Sequence, residues 1–451
     1  MTGVEEPTGL TVRASRLLKV RAVWLMPTLL ASVLIIVITL AYFGSLVDPP
    51  GHLRGLPVEL VNEDRGAVVG GRQVDFGRDV VLGLTRTPAV TDRLAIHAAS
   101  LAGAEKAMDD ADAYAAIVVP STFSASVLAP FARTLPGGVP AQADVDLETN
   151  QRLGSVGGSL ATGVATPALG KISAAVGAQL KEAPGASAVT NPVLRSRLAI
   201  PFSVVTSEFR PLPSHTALGL SAFYLSLLTI TAGFLGATVV NSSLDAALGF
   251  AATEIGVRYR QRRPLPINRW RTLLAKWAVA GALAPVLTAL ILLFAVGVLG
   301  ADAPHVWYLW AFMSVATIGV AVGTLTLFAA LGSLGQLVGM VIFIYLGLVS
   351  SGGTVPLQAV PGFYRIIGHV EPLRQILGGV RSIIYFGARS SAGLGQSWVV
   401  VLSELAFWVV VGTAITQTYD QRGYYRMQPE LLDYVNRSAE SYARRREGPT
   451  G

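Results

Sequence analysis

Arg258, Arg260, Arg262 and Arg263 place four guanidinium groups within six residues. Guanidinium forks match phosphate oxygens, and such a run binds anionic headgroups where it meets a membrane surface. Glu404 is a different kind of group: a lone carboxylate, the seventh residue of the apolar run Trp398 to Thr418. A carboxylate in hydrocarbon is costly unless paired or hydrated, so it is a functional candidate by default. Two roles fit it, one half of a structural salt bridge with Arg374 or Arg381, or a proton carrier. A third group, Gly163 to Ile172, has glycines before a lysine. A phosphate-binding loop needs four residues between its glycines and Ser or Thr after the lysine. Here six residues intervene, and Ile172 follows Lys171. The five histidines (His52, His97, His215, His305 and His369) are scattered, and cysteine is absent. That excludes disulfides, thiolate metal sites and a cysteine nucleophile. No nucleophile–base set is visible. The sequence predicts no catalytic residues, no cofactor, no metal, and a protein that is not an enzyme.

These groups must be positioned by apolar helices. The chain is 52% apolar and only 14% charged, against about 25% charged in an average soluble domain. A spanning helix needs about 20 mostly apolar residues. Five stretches satisfy this without a charge: Ala22 to Val47, Ala217 to Val240, Trp277 to Leu299, Trp307 to Leu331, and Ser333 to Ser351. Trp398 to Thr418 is the sixth. The first run is far longer than a signal-peptide core of about 7–15 residues, and Gly44 to Pro50 is a poor cleavage sequence, so it reads as a retained anchor. The net charge of +7 comes almost entirely from arginine, because lysine occurs only at Lys19, Lys106, Lys171, Lys181 and Lys276. With this many apolar runs the basic balance points to a cytoplasmic membrane face rather than to nucleic acid.

Positive residues flank the cytoplasmic ends of spans. Arg13, Arg16, Lys19 and Arg21 precede span one; Arg258 to Lys276 separate spans two and three; Arg422, Arg426, Arg437 and Arg444 to Arg446 follow span six. All three segments are therefore expected inside. The expected fold class is an α-helical polytopic membrane protein of six transmembrane helices, one before and five after a mixed α/β extracytoplasmic domain. The expected boundaries are a cytoplasmic tail 1–21, helix 22–47, outer domain 48–214, membrane domain 215–418 and cytoplasmic tail 419–451. Within the membrane domain lie helices 217–240, 277–299, 307–331, 333–351 and 398–418, a basic loop 241–276, and an outer segment 357–389 whose four arginines strain the positive-inside rule.

In the outer domain, Leu56 to Asn62, Tyr114 to Pro120, Ala143 to Thr149 and Pro201 to Thr206 read as strands. Glu63 to Gly66 reads as a turn. Ser121 is expected to cap a helix starting near Phe123, and Gly154 to Leu180 is expected to be helical.

Particular residues carry a family resemblance. Pro57-Val-Glu-Leu-Val-Asn-Glu-Asp-Arg-Gly66, followed by Tyr114-Ala-Ala-Ile-Val-Val-Pro-Ser-Thr-Phe-Ser124, resembles the outer domain of the YhgE/Pip (phage infection protein) family. Leu218 to Tyr224 and Gly233 to Gly236 look like its second span. Ser350-Ser-Gly-Gly-Thr-Val-Pro-Leu-Gln-Ala-Val-Pro361 and Glu371-Pro-Leu-Arg-Gln-Ile-Leu-Gly-Gly-Val-Arg381 are similar to the outer re-entrant segment of type-2 ABC exporter permeases. The branch related to the yeast nitrosoguanidine-resistance protein fits best. The resemblance implies a permease half that works as a dimer, with a second copy or a paralogue, beside a separate cytoplasmic ATPase. It would move a lipidic, glycoconjugate or drug-like amphipathic substrate outward through the bacterial plasma membrane. Other members of the group are envelope scaffolds, secretion accessories or phage receptors, so a non-transporting envelope protein is the alternative. A lipid-modifying enzyme is the weakest reading.

The resemblance also gives the candidate residues their roles. The Arg258 to Arg263 cluster corresponds to the region that meets the ATPase in such permeases; headgroup binding and ATPase contact are compatible. Gly352, Gly353, Pro356, Pro361, Glu371, Pro372, Arg374, Gly379 and Arg381 belong to the candidate re-entrant segment. It forms either a broken hairpin dipping in from outside, where protein or water satisfies its backbone, or an amphipathic helix pair on the outer surface. Gly319 with Gly323, and Gly335 with Gly339, have the four-residue spacing that lets helices approach closely, within the chain or across a dimer. Gln336 is placed to hydrogen-bond another helix.

Overall fold

The computed structural model describes residues 19–69, 72–131, 141–183, 186, 189–256, 258–260, 262–424, 426, 433 and 437. Arg13, Arg16 and Arg444 to Arg446 lie outside these, as does the side chain of Arg258.

Helix α1 (Arg21–Leu46) leads into a sheet domain whose strands are β1 (Leu56–Asn62), β2 (Ala67–Val69), β3 (Arg72–Val74), β4 (Leu94–Ala99), β5 (Ala115–Val119), β6 (Ala143–Thr149) and β7 (Phe202–Glu208). Five of these form one sheet in the order β4-β1-β5-β6-β7. Only the β5–β6 pair is antiparallel. The strands predicted from alternation are present, whereas β4 and the β2–β3 hairpin carry too little pattern to be predicted. Interleaved helices are α2 (Phe76–Thr85), α3 (Leu101–Asp109), α4 (Phe123–Leu128), α5 (Ser155–Glu182) and α6 (Pro192–Ala199).

One face of the sheet, including Val58, Ile117, Val145 and Leu147, is sealed by α2, α4 and α5. Phe123 meets Phe202 edge to face there, with ring centroids 5.2 Å apart. The other face, through Val61, Ala116 and Val118, packs on Ala104 and Met108 of α3. The expected cap at Ser121 is corrected: Thr122 precedes α4, and its side chain makes no capping bond. Gly163 to Ile172 lies inside α5. Its N–H groups are therefore spent on helix carbonyls and cannot cradle a phosphate.

The helical part consists of α7 (Ser221–Ala247), α8 (Arg269–Leu292, prolonged by a π turn to Val298), α9 (Val306–Leu331), α10 (Leu334–Ser350, with a π segment Met340–Tyr345), α11 (Gly362–Ile367), α12 (Pro372–Tyr385) and α13 (Gly395–Gln421, entered by a π turn from Ser390). Between α7 and α8 a small hairpin pairs β8 (Thr253–Ile255) with β9 (Arg258–Arg260). Helix α9 is apolar all round and is the central post, touching α7, α8 and α13. A helix apolar on every side is stable only when surrounded.

Among the described residues five helices are long and apolar enough to cross a membrane: Val23–Leu46, Ser221–Ala247, Arg269–Val298, Val306–Leu331 and Ser390–Gln421. The run expected as a further span, Ser333 to Ser351, forms the shorter apolar helix Leu334–Ser350. At 1.5 Å per residue its length is about 25 Å, short of a hydrocarbon core of about 30 Å. Gly332 (φ +64°), which ends α9, and Gly352 (φ +73°) bound it, each at a positive φ through which a helix cannot continue.

Candidate functional sites at the two ends of the helix bundle

Helix α13 begins beneath the sheet domain and ends about 40 Å away, so the bundle has a domain end and a far end. A polar cavity opens at each.

The far-end cavity, about 770 Å³, lies between the last turns of α7, α9 and α13 and the first turns of α8. Its chemistry centres on Asp245. Lys276 Nζ of α8 lies 2.7 Å from the Asp245 carboxylate, and Arg426 donates to both its oxygens at 2.7 and 2.9 Å. Lys276 also donates to Asn241 Oδ1 at 2.7 Å, and the Arg426 guanidinium covers the Phe250 ring at 4.5 Å. Asp420 of α13 accepts from the backbone N–H groups of Arg269 and Trp270, at 2.9 and 3.0 Å. These are two of the N–H groups that a helix start leaves unpaired, so the contact fixes α13 to the beginning of α8. Three helices and the segment after α13 are thus joined through two carboxylates, of which Asp245 is buried.

The β8–β9 hairpin projects at this same end. Arg260, Arg262 and Arg263 are exposed, as is Tyr259 between the first two arginines of the cluster. Gln336 lines the far-end cavity and, among the described residues, its side chain bonds no other helix, contrary to expectation, because it faces the open cavity rather than a neighbour. Gly323 faces Phe343 and Trp408; Gly335 faces the backbone at Leu327; Gly339 faces Phe234; Gly319 approaches α13 at Val401 and Leu405. Gly323 and Gly335 thus face neighbours within the chain that a Cβ would crowd, whereas a Cβ at Gly319 would meet only ordinary contacts, at 3.9 and 4.0 Å.

The domain-end pocket, about 360 Å³, lies where the sheet domain rests on α12 and the start of α13. Helix α12 exists because of its start. Pro372 occupies the first turn, and the buried Glu371 carboxylate accepts from the N–H groups of Leu373 (2.8 Å) and Arg374 (3.0 Å). Leu373, Ile376, Leu377, Val380 and Ile383 are buried among α7, α9 and α13. Helix α12 is therefore inserted into the bundle and does not lie on its surface. Gly379 allows the insertion, because a Cβ there would stand 2.2 Å from the Phe312 ring of α9; Gly353 does the same beside Phe223. Helix α11, with Phe363 and Ile366 exposed, stays outside the bundle. Pro361 precedes α11, and Pro356 precedes a short 3₁₀ turn at Leu357–Ala359.

Arg374 and Arg381, one heptad apart on α12, both line the domain-end pocket. Neither reaches Glu404. The Glu404 carboxylate instead accepts from Trp408 Nε1 on its own helix, at 3.4 Å, so the expected salt bridge is absent. The reason is facing: α12 turns both arginines toward the sheet domain.

Sequence reading missed a second set of charges at this end. Buried Asp109, which closes α3, accepts from Arg152 (3.0 Å) and Arg210 (2.8 Å) and lies 3.4 Å from Arg389, just beyond α12. Arg152 also donates to the carbonyl of Tyr385 at 3.4 Å and stacks over Phe386 at 4.5 Å. Burial depresses the Arg152 pKa, and its bond to Asp109 opposes that shift. Ser391 donates to Asp110 Oδ1 at 2.6 Å. The sheet domain is thereby tied to both ends of the α12–α13 turn. Spacing could not have shown this, because Asp109 and Arg389 belong to distant segments.

Long apolar helices around a central post, with a shorter helix inserted among them beneath a sheet domain, define a membrane-embedded protein. Residues 21–414 match the family described as ABC-2 family transporter protein, and the chain belongs to that family. It is a multi-pass membrane protein and the membrane component of a transporter, in a family that is not catalytic. No curated protein and no solved structure matches this chain.

Proposed function

We propose that this chain is the permease half of a type-2 ABC exporter of the YhgE/Pip-like branch, moving a lipidic, glycoconjugate or drug-like amphipathic substrate outward. The observation that carries the reading is the family match from residue 21 to 414, which takes in the sheet domain as well as the helices. In this reading α10 is a sixth, short span. The sheet domain is extracytoplasmic and both chain ends are cytoplasmic, in a bacterial plasma membrane. The positive-inside rule supports this orientation, since Arg260, Arg262, Arg263 and Arg422 all cluster at the far end. A second copy or a paralogue completes the permease, and membrane lipids surround it.

A separate cytoplasmic ATPase docks on the β8–β9 hairpin. Exposed arginines around an exposed tyrosine suit a protein partner, because arginine and tyrosine are enriched where interfaces concentrate their energy. Helix α12, inserted between α7 and α13, is the re-entrant element that flanks the outward path.

The test is a mild-detergent pull-down of the tagged chain, with and without Arg260, Arg262 and Arg263 changed to Ala. Recovery of an ATPase with the parent chain and its loss from the variant is expected. A variant that retains the ATPase at parental yield removes the hairpin as docking site. Failure of any ATPase to copurify, when other membrane partners do, removes the exporter reading.

A further inference from the structure

The domain-end pocket holds four charged side chains that do not neutralise one another. Arg374 and Arg381 enter from α12; Asp110 and Asp112 enter from the turn after α3. Two guanidinium groups and two carboxylates in one small cavity would ordinarily form ion pairs. Among the described residues no ion pair joins any of the four. Among the described residues the Arg374 guanidinium donates to the Gly368 carbonyl, at 3.3 Å, and the Glu371 carboxylate at the start of α12 acts on its charge. The Nε of Arg381 is buried and has no hydrogen-bond partner. Asp110 accepts from Ser391, and the Asp112 carboxylate accepts from no described residue. That nitrogen has no exposed surface, so a ligand would meet Arg381 through its terminal nitrogens, on a side chain that is only partly buried and lines the pocket.

The turn that presents the aspartates is the end of α3: Ala111 has φ +64°, and the N–H groups of Ala111 and Asp112 return to the carbonyls of Met108 and Ala107, a common way for a helix to close. It places Asp110 and Asp112 on the pocket wall.

We propose that this pocket binds the headgroup of a zwitterionic phospholipid. The phosphate is held by Arg381 and Arg374, and the ammonium by Asp112 and Asp110. A guanidinium offers a planar fork to phosphate oxygens. A compact ammonium needs carboxylate acceptors, which the turn after α3 supplies to the same pocket. The volume, about 360 Å³, is near the small end of ligand pockets. It suits a headgroup and not a whole lipid. A singly anionic headgroup leaves the aspartates unmatched, and a free cation leaves the arginines unmatched.

This deepens the exporter reading by naming a headgroup class, but its test needs no ATPase. A chain that binds the lipid without transporting it would fail only the exporter reading. A transporting chain with no headgroup selectivity would fail only this one.

The experiment is native mass spectrometry of the full chain in a lipid-free detergent, titrated with short-chain phosphatidylethanolamine, short-chain phosphatidylglycerol, or inorganic phosphate. Tighter binding of phosphatidylethanolamine than of phosphatidylglycerol is expected. Loss of one charge-assisted contact should weaken the preferred lipid roughly tenfold or more. Arg381→Gln should weaken both lipids. Asp112→Asn, an exposed loop change that leaves the fold intact if Arg381→Gln does not, should weaken phosphatidylethanolamine alone and abolish the preference. Equal binding of the two lipids by the parent chain, or an unchanged preference in Asp112→Asn, overturns the proposal. Displacement of bound lipid by inorganic phosphate at equal concentration also overturns it, because the site would then hold free phosphate.

Discussion

Arg426 places both terminal nitrogens on the Asp245 carboxylate, at 2.7 and 2.9 Å, across 181 residues of sequence. The same carboxylate holds Lys276 at 2.7 Å. One acid in the last turns of α7 therefore anchors α8 and the segment that follows α13. Asp245 and Lys276 are largely shielded from water, whereas Arg426 is partly exposed. Removing the shared acid should cost much more than removing the outer cation. Asp245→Asn leaves Lys276 buried and unpaired, a loss of about 3–5 kcal/mol. Arg426→Ala leaves the Lys276 pair in place and should cost about 1 kcal/mol. Thermal unfolding of the detergent-solubilised variants checks the order. Equal destabilisation by the two changes would show that Lys276 does not depend on Asp245.

Asp109 is the corresponding anchor at the domain end, but its partners span the sheet domain and the bundle. Asp109→Asn should release the α12–α13 turn from the sheet domain at a cost of about 3–5 kcal/mol. Hydrogen exchange should then rise in the segment from Tyr385 to Ser391 while β1 and β5 stay protected. Arg389→Ala removes a half-exposed partner at 3.4 Å and should cost at most about 1 kcal/mol. A change in exchange spread evenly over the sheet would argue that Asp109 serves the domain fold and not its attachment.

Gly379 is a packing requirement that substitution can test directly. A Cβ at this position would stand 2.2 Å from the Phe312 ring. Gly379→Ala should therefore destabilise the chain by about 1–3 kcal/mol through overpacking. Adding Phe312→Leu should return part of that loss, because the smaller side chain vacates the space. A double-mutant cycle measures the coupling. Strict additivity would place the defect elsewhere.

The sheet domain should respond to pH through β6. Asp144, Asp146 and Glu148 alternate along the strand and share its more open face. Burial, and then Asp144, raises the Asp146 pKa; burial, followed by Asp146 and Glu105, raises that of Glu148. The folded chain thus holds protons on these groups more tightly than the unfolded chain. Their contribution to stability should grow as pH falls from neutral through the raised pKa values toward the ordinary carboxylate range, and shrink as pH rises. Asp144→Asn should raise the unfolding temperature at neutral pH and flatten the dependence between about pH 7 and 5. A parallel pH profile in parent and variant would rule out coupling along β6.

Much of this protein was determined by its sequence alone, for a simple reason. The hydrocarbon core sets a length, so uncharged runs such as Trp307 to Leu331 could only be long helices, and α9 follows that run closely. Alternation placed β1 and β6, because a sheet with a buried face fixes which side chains may be apolar, and the runs Tyr114 to Pro120 and Pro201 to Thr206 placed β5 and β7. The spacing around Lys171 by itself excludes a phosphate loop, and the helix α5 that contains it agrees. The exact ends of helices were less legible, since α8 starts at Arg269 in a charged stretch that hydropathy alone leaves out. What tertiary structure decided was which charges meet. Arg374 and Arg381 could be assigned to Glu404 by depth, yet α12 turns them to the sheet domain, and Glu404 bonds Trp408. Asp245 with Lys276 and Arg426, and Asp109 with its three arginines, join segments that have no local reason to pair. Helical and strand periodicity are properties of neighbouring residues, whereas the position of a lone charge among buried side chains is set by the packing of distant ones.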